Sequence, residues 1–424
     1  MFDGKGTHVR ILHINKFLYR RGGAESYMLD VAALQSERGH HVEFFGMAHP
    51  ENLPSRFEEH FPRFLSFDPP PKPLVGKARV AGRLLYSPAA KHGVEKVLEE
   101  FSPDIVHLHN IYHQLSPSVL QPLRALDVPA LMTLHDYKLA CPTYLFLDKG
   151  EVCEACLGGH FYQAVLRRCN KGSLIASSLN ALELTLHTAT KAYAPINILA
   201  CPSRFVLTKM TEAGVFPDRL RHIPNFVDTA AIGTKKREGG GIVYAGRLAK
   251  EKGVDTLIAA AVAVGAPVDI AGTGPEAAAY EALARSRGAT RVRFHGHLPR
   301  EELHRLVRSA AVMALPSRCH ENQPLIALEA MACGVPVVST DLGGLPELVS
   351  PGVDGEIVPP NDPDALAASL QGFIADPGRA YEMGRAGRAK VETQFSPDRH
   401  LQRLEGLYAE AAKTAKVTEN RVVA

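Results

Sequence analysis

Residues 312–349 read VMALPSRCHENQPLIALEAMACGVPVVSTDLGGLPELV, and the fold can be read outward from them. A short apolar run at 312–315 gives way to a polar loop, then to an apolar helical segment opening after Pro324. A second apolar run at 335–339 follows, and then a Gly343-Gly344 turn before another helix start. Runs that are apolar at every position are strands covered on both faces, and helices between them supply the crossovers of a parallel sheet. The same alternation extends in both directions. It predicts strands at 9–14, 42–45, 105–109, 130–134 and 198–201, and again at 241–245, 268–271, 292–295, 312–315, 335–339 and 355–358. The fold class is therefore α/β, with two doubly wound, Rossmann-like sheets. A chain of 424 residues suits two domains of typical size. The polar, glycine-ending stretch TAAIGTKKREGGG at 229–241 reads as a flexible boundary. The expected division is 1–230, a linker at 231–240, a second domain at 241–395, and a terminal helix at 396–424.

Composition narrows the function. Hydrophobic residues make up 46% and charged residues 22%, and the net charge is +3, too small for the basic face that nucleic acid demands. No nucleic-acid partner is expected. No apolar run approaches the ~18 residues of a membrane span, and MFDGKGTHVR lacks a signal-peptide core, so a cytoplasmic protein is expected. Seven cysteines, an odd number in a long chain, argue against a disulfide framework.

Three loops at strand ends carry candidate chemistry. Gly22 and Gly23 precede a helix start, where glycine admits a ligand to the backbone and free N–H groups favour an anion; ordinary turn chemistry explains them as well. GRLAKEKG, after the strand at 241–245, holds Arg247 and Lys252, two cations suited to a diphosphate or simply to water beside Glu251. In the 312–349 stretch, Glu321 lies on the loop and Glu329 eight residues later inside the helix. Around Pro324, which has no N–H of its own, the main-chain N–H groups of Asn322, Gln323 and Leu325 can meet a phosphate or hydroxyl. Glutamates favoured by the helix dipole are the plainer reading.

Taken in order, GRLAKEKGVDTL, IAGTGP, FHGHLP, the 312–349 stretch and PGVDGEIVPP resemble glycosyltransferase family 4. GGAE, DIVHLH, TLHDY, CPSRFV and IPNFVD extend the resemblance over the first half. It implies the GT-B architecture, two Rossmann-like domains across a cleft with a terminal helix crossing back, and retaining transfer from a nucleotide-diphosphate sugar. It further implies that Arg247 and Lys252 hold the diphosphate, that Glu329 binds the ribose, and that Glu321 binds the transferred sugar. His135 would face the reacting carbon, Gly22 and Gly23 would close on the diphosphate, and Gly343 and Gly344 would be phosphate-side turn residues. No cofactor is required for catalysis. The acceptor would be a sugar, a lipid-linked group or another hydroxyl, in polysaccharide, lipopolysaccharide or glycolipid assembly. Many members carry glycine and an aromatic where this chain has Asn322, Gln323 and Pro324, which leaves the sugar open. A sugar-nucleotide epimerase and a non-catalytic nucleotide-sugar-binding protein are the alternative functions.

Five further features have a chemical and a plainer reading. Gly272, Gly274 and Ala277 satisfy a dinucleotide fingerprint, but the acid expected about 20 residues on is replaced by arginines. Asp362 and Asp364 read as helix caps. Cys141, Cys153, Cys156 and Cys169, in an insertion at 136–172, are assigned a structural zinc, with small buried thiols as the alternative. His107, His109 and His113 are read as structural or cleft-lining rather than metal-binding. The basic segment 72–91 suits an anionic membrane or an acceptor's phosphates, although a solvated helix face fits the small net charge better.

Overall fold

The computed structural model describes residues 8–66, 74–236 and 238–422. Fourteen strands follow in chain order: β1 (Arg10–Ile14), β2 (His41–Phe45), β3 (Ile105–Leu108), β4 (Ala130–Thr133), β5 (Leu147–Asp148), β6 (Glu151–Val152), β7 (Ile198–Cys201), β8 (Leu220–His222), β9 (Ile242–Ala245), β10 (Val268–Ala271), β11 (Val292–Gly296), β12 (Val312–Leu315), β13 (Val337–Thr340) and β14 (Gly355–Val358). Two six-stranded parallel sheets result, ordered β2-β1-β3-β4-β7-β8 and β11-β10-β9-β12-β13-β14. The uniformly buried strands are the central ones: every residue of β3, β4, β7, β9, β12 and β13 is buried, including His107, Thr133, Ser339 and Thr340. The edge strand β11 alternates more and less exposed residues, as a half-covered edge should.

Chain order reverses between β1 and β3 in the first sheet and between β9 and β12 in the second. Open α/β sheets bind ligands in the crevice outside the strand ends at such switch points. The Gly22-Gly23 loop follows β1 and the TLHDY turn follows β4. The Arg247-Lys252 loop follows β9 and the Glu321 loop follows β12.

Two elements escape the apolar-run criterion. β8 is a three-residue edge strand, LRH, with too little apolar sequence to register. β5 and β6 form a hairpin inside the cysteine insertion, closed by Lys149 and Gly150, both at positive φ as its two-residue turn requires.

The terminal helix Pro397–Val422 packs on the first sheet. Leu401, Leu404, Tyr408 and Ala411 join Val9, Ile11, Tyr27 and Val31 in one buried cluster. His400 bonds the Tyr27 hydroxyl at 2.9 Å and the Pro224 carbonyl at 2.8 Å. The stretch at 231–240, expected to be loose, is instead fastened to the second half. Arg388 donates to the carbonyls of Thr229 and Ile232, Lys235 N donates to Cys333 O, and Gly240 N to Ser309 O. The two passages between halves meet where Val227 N donates to Phe395 O at 3.0 Å.

Candidate functional site

In the second half, the β9 loop ends in a short turn, Lys250–Lys252, and Gly253 at φ +65° starts the next helix against Pro316 O, where a Cβ would come within 2.0 Å. That contact brings Lys252 to the β12 loop. Its Nζ lies 2.6 Å from Glu321 Oε1, which also accepts from Ser317 Oγ at 2.5 Å. Burial by itself would lower the Lys252 ammonium, but the Glu321 carboxylate more than reverses this and holds it above the ordinary lysine range. Arg247, on the same loop, is exposed, and its guanidinium makes no hydrogen bond or ion pair among the described residues. One engaged cation, Lys252, and two exposed ones, Arg247 and Lys250, thus sit on the switch-point loop.

Glu329 faces elsewhere. Arg300 Nη2 at 3.3 Å and His304 Nε2 at 3.7 Å both approach its Oε1. Arg300 also reaches Asp30 across the halves at 3.5 Å. Tyr27, Asp30, Phe226, Arg300, Leu325 and Glu329 line the narrow crevice between the halves.

On the first-half side, Leu134 O accepts from Asn322 Nδ2 at 2.6 Å and the Tyr137 hydroxyl donates to Glu321 O at 3.4 Å. His135 directly follows Leu134, and its ring meets that of Tyr27 edge-on at 5.3 Å between centroids. Its other face enters a buried chain of polar groups. Gln35 gives its amide nitrogen to the Tyr408 hydroxyl at 2.9 Å and its oxygen to His13 Nε2 at 2.8 Å. An amide oxygen only accepts, so the His13 proton is on Nε2. Its Nδ1 then accepts from His109 Nε2 at 3.0 Å, and His109 Nδ1 accepts from His135 Nε2 at 3.0 Å. His135 is left with a bare Nδ1. Tyr408 passes its own proton to His107 Nδ1 at 2.7 Å, and His107 Nε2 donates to Thr133 Oγ1 at 2.8 Å. Burial keeps these rings neutral: His13 is lowered to about 4, His135 to about 3, and His107 and His109 well below the ordinary value.

Gly22 caps the helix Gly23–Glu37 in extended backbone, and a side chain on Gly23 would meet nothing, so space stands over this helix start. Beside it are groups that the sequence reading passed over. Burial lowers Lys16 despite the pull of Glu25 and Asp136; burial raises Asp136, which accepts from the Tyr112 hydroxyl. Lys16 directly follows β1, so the switch-point rule alone would have found it. Arg300 carried no comparable sign, because its partners come from both halves.

Several expected donor contacts are spent otherwise. Besides Asn322, Gln323 turns to the first half, taking Asn225 N at 2.5 Å on Oε1 and Asn225 Nδ2 at 2.9 Å on its carbonyl. Pro324 is the N-cap of the helix Leu325–Ala332, which leaves main chain, not these two side chains, to meet a ligand. Gly343 and Gly344, expected as phosphate-side turn residues, buttress the Glu321 loop. Gly344 N donates to Glu321 O at 2.7 Å, and a Cβ on Gly343 would lie 2.1 Å from that oxygen. Gly272 and Gly274 likewise abut Gly246 O and Leu248 O, at 1.9 and 2.3 Å for an added Cβ. The glycines there let two loops pack together.

Asp362 caps its helix, accepting from Asp364 N and Ala365 N. His113 pairs with Glu183 at 3.7 Å. Cys141, Cys153, Cys156 and Cys169 carry no disulfide and lie close enough to perturb one another. Burial and the neighbouring sulfurs push Cys156 up to about 12; burial, Asp148 and the sulfurs push Cys169 up to about 11. Among the described residues, the group whose ligand atoms gather within 4.8 Å is instead His13, His107 and His109, whose nitrogens are engaged as above. Of the basic segment 72–91, Lys72 lies outside the described residues, Arg83 turns inward onto the carbonyls of Gln114 and Arg63, and Lys91 pairs with Glu95. Among the described residues no helix is long and apolar enough to cross a membrane.

Comparison with known proteins follows the two halves. The family model described as Glycosyltransferase Family 4 matches residues 21–231, and that described as Glycosyl transferases group 1 matches residues 230–390. D-inositol 3-phosphate glycosyltransferase of Salinispora tropica is 30% identical over 421 residues, 92% of this chain and 81% of that protein. Matches to seven other curated relatives span 38% to 59% of those proteins' own length. Sucrose-phosphate synthase from Thermosynechococcus elongatus shares the fold at TM-score 0.70 and 22% identity, over 94% of this chain and 98% of that one. Anabaena HepE, solved with UDP and glucose, does so at TM-score 0.66 and 18% identity, over 95% and 100%.

Proposed function

Because the chain belongs to glycosyltransferase family 4, with that family's GT-B architecture, we propose that it is a retaining glycosyltransferase moving a hexose-type sugar from a nucleotide-diphosphate donor to a hydroxyl acceptor. The acceptor belongs to polysaccharide, lipopolysaccharide or glycolipid assembly. The observation that carries this reading is the Lys252–Glu321 pair, with exposed Arg247 on the same switch-point loop. A structural neighbour solved with UDP and glucose supports the choice of donor class.

Arg247 is free to take the diphosphate. Lys252 stays protonated and adds a second charge where negative charge grows on the leaving phosphate. These two cations do the work that a metal ion does elsewhere, so transfer needs no metal. Glu321, oriented by Lys252 and Ser317, meets hydroxyls of the transferred sugar. Glu329 meets the ribose once Arg300 moves aside. His135 offers its bare Nδ1 as a hydrogen-bond acceptor to a sugar hydroxyl near the reacting carbon, and the leaving phosphate takes the acceptor's proton. Gly22 and Gly23 let the first half close on the donor, bending where Val227 meets Phe395. Closure excludes water and spares the donor from hydrolysis. In this reading the four cysteines of the insertion hold a structural zinc, for which the insertion must draw its sulfurs inward.

Incubation with UDP-, GDP- and ADP-hexoses, with and without hydroxyl acceptors, tests the assignment. Nucleoside diphosphate release that requires an acceptor, with anomeric configuration kept in the product, is expected. Sugar turnover without an acceptor would make the protein an epimerase, and donor binding without product in any combination would make it a binding protein.

A further inference from the structure

We propose that the outward face of the helix Leu174–Ala189, with the adjoining helix Gln163–Arg167, docks on an anionic lipid bilayer. The purpose of that docking rests on the transferase reading; its evidence does not.

The helix carries apolar residues on both faces. Its buried face mixes Ala181 and Leu184, packed on Cys156, Phe161 and Ala164, with Ser177, Asn180, Glu183 and His187, and the face turned to solvent carries Ile175, Leu182 and Leu186. Each of these polar residues has a partner: Ser177 Oγ accepts from Asn170 N, Asn180 donates to Pro142 O, Glu183 Oε2 accepts from Lys138 at 2.6 Å and His187 Nε2 meets Leu85 O, while Glu183 Oε1 and His187 Nδ1 lie 4.0 Å from each other. Outside, Ile175, Leu179, Leu182 and Leu186 recur at spacings of four, three and four, which sets them in one stripe. Ile175 is 76% exposed, and Leu166 on the adjoining helix is 72% exposed. Scattered apolar residues are ordinary on a surface, whereas a continuous stripe marks a partner.

Charge chooses the partner. Between residues 155 and 211 the only carboxylate is Glu183, which is buried, whereas Arg168, Lys171 and Lys191 are exposed beside the stripe. The helix Leu74–Leu85 lies alongside, joined through His187 and Leu85, and no acid occurs from 69 to 94. Two copies meeting through this face would set cations against cations. An anionic headgroup layer meets the cations while its acyl boundary takes the stripe.

The position also serves a lipid-linked acceptor. Lys138, held by Glu183 from the inner face, donates its main-chain N–H to Asp136, the neighbour of His135. One helix therefore faces the bilayer on one side and the acceptor side of the cleft on the other.

Co-sedimentation of the full chain with vesicles tests this. Binding to phosphatidylcholine vesicles containing phosphatidylglycerol, weakened by salt and absent with phosphatidylcholine alone, is expected. The double variant Ile175→Ser/Leu182→Ser should lose roughly tenfold or more in vesicle affinity while keeping its thermal unfolding, since both side chains are exposed. Equal binding by the double variant, or binding indifferent to the anionic lipid, overturns the proposal. So does a wild-type dimer, seen by sedimentation velocity, that the double variant dissolves. Vesicle binding does not read transfer: docking without turnover would refute the transferase and leave the bilayer surface standing, and turnover without docking would do the reverse.

Discussion

Replacing Lys252 with methionine keeps the apolar stem and removes the ammonium. Glu321 is then left with Ser317 as its hydrogen-bond partner in a setting where the two side chains are 26% and 13% exposed. Removing one member of a fully buried pair costs about 3–5 kcal/mol, and the residual access of water to Lys252 reduces this to roughly 2–3 kcal/mol. Adding Glu321→Gln removes the orphaned charge, so the double variant should regain most of that stability. Transfer should behave differently, because a charge aimed at the departing diphosphate is worth about 10²–10³ in kcat and the second substitution does not replace it. The assay is urea unfolding alongside initial rates at saturating donor, for wild type, both single variants and the double variant. Recovery of transfer together with stability in the double variant would show that the pair only holds two loops together, and would refute the reasoning.

Acid should unfold the protein early. Burial lowers His13 and His400 to about 4 and His135 to about 3, and His107 and His109 fall with them, whereas the same residues in the unfolded chain titrate near 6.5. Stability is full above that value. It is lost as the pH falls toward 4, by roughly 1.4 kcal/mol per unit for each histidine, because the unfolded chain takes up protons that the folded chain refuses. A urea midpoint that is level from pH 7 to pH 5 would count against this. Tyr408→Phe should keep the ring packing, free the Gln35 amide to turn, and mix the two tautomers of His135. The expected readout is a kcat lowered about tenfold at unchanged donor KM, with both His135 forms in ¹⁵N spectra; a single form as in wild type would sink the link. Metal analysis of the purified protein should find one zinc per chain, lost on Cys153→Ser/Cys156→Ser. Four free thiols without metal would remove that assignment.

The fold was legible because its strands are apolar on both faces. β7, β10, β12 and β14 begin and end where their runs do, whereas β8 was not legible, since three residues at a sheet edge bury too little to leave a pattern. Chemistry was legible where it depends on position along the chain: Arg247 and Lys252 follow β9, and Glu321 follows β12, at the strand ends where a doubly wound sheet must bind. It was illegible where it depends on what comes from elsewhere. Nothing in ENQP says that Asn322 and Gln323 are taken up by Leu134 and Asn225, 188 and 98 residues away in sequence. Nothing near His135 announces Tyr408. Glycines were the least informative, since those at 272, 343 and 344 permit close loop-to-loop contact, which a sequence reads the same way as ligand approach.

The central claim is a diphosphate-sugar site closed by Arg247 and Lys252. Thermal unfolding of wild type and Arg247→Ala against UDP-, GDP- and ADP-sugars tests it most directly, since a ligand that binds only the native state raises its apparent stability. One donor class should raise the melting temperature of the wild type, and Arg247→Ala should abolish the shift. A shift of the same size in both proteins, or none with any donor, would contradict the account.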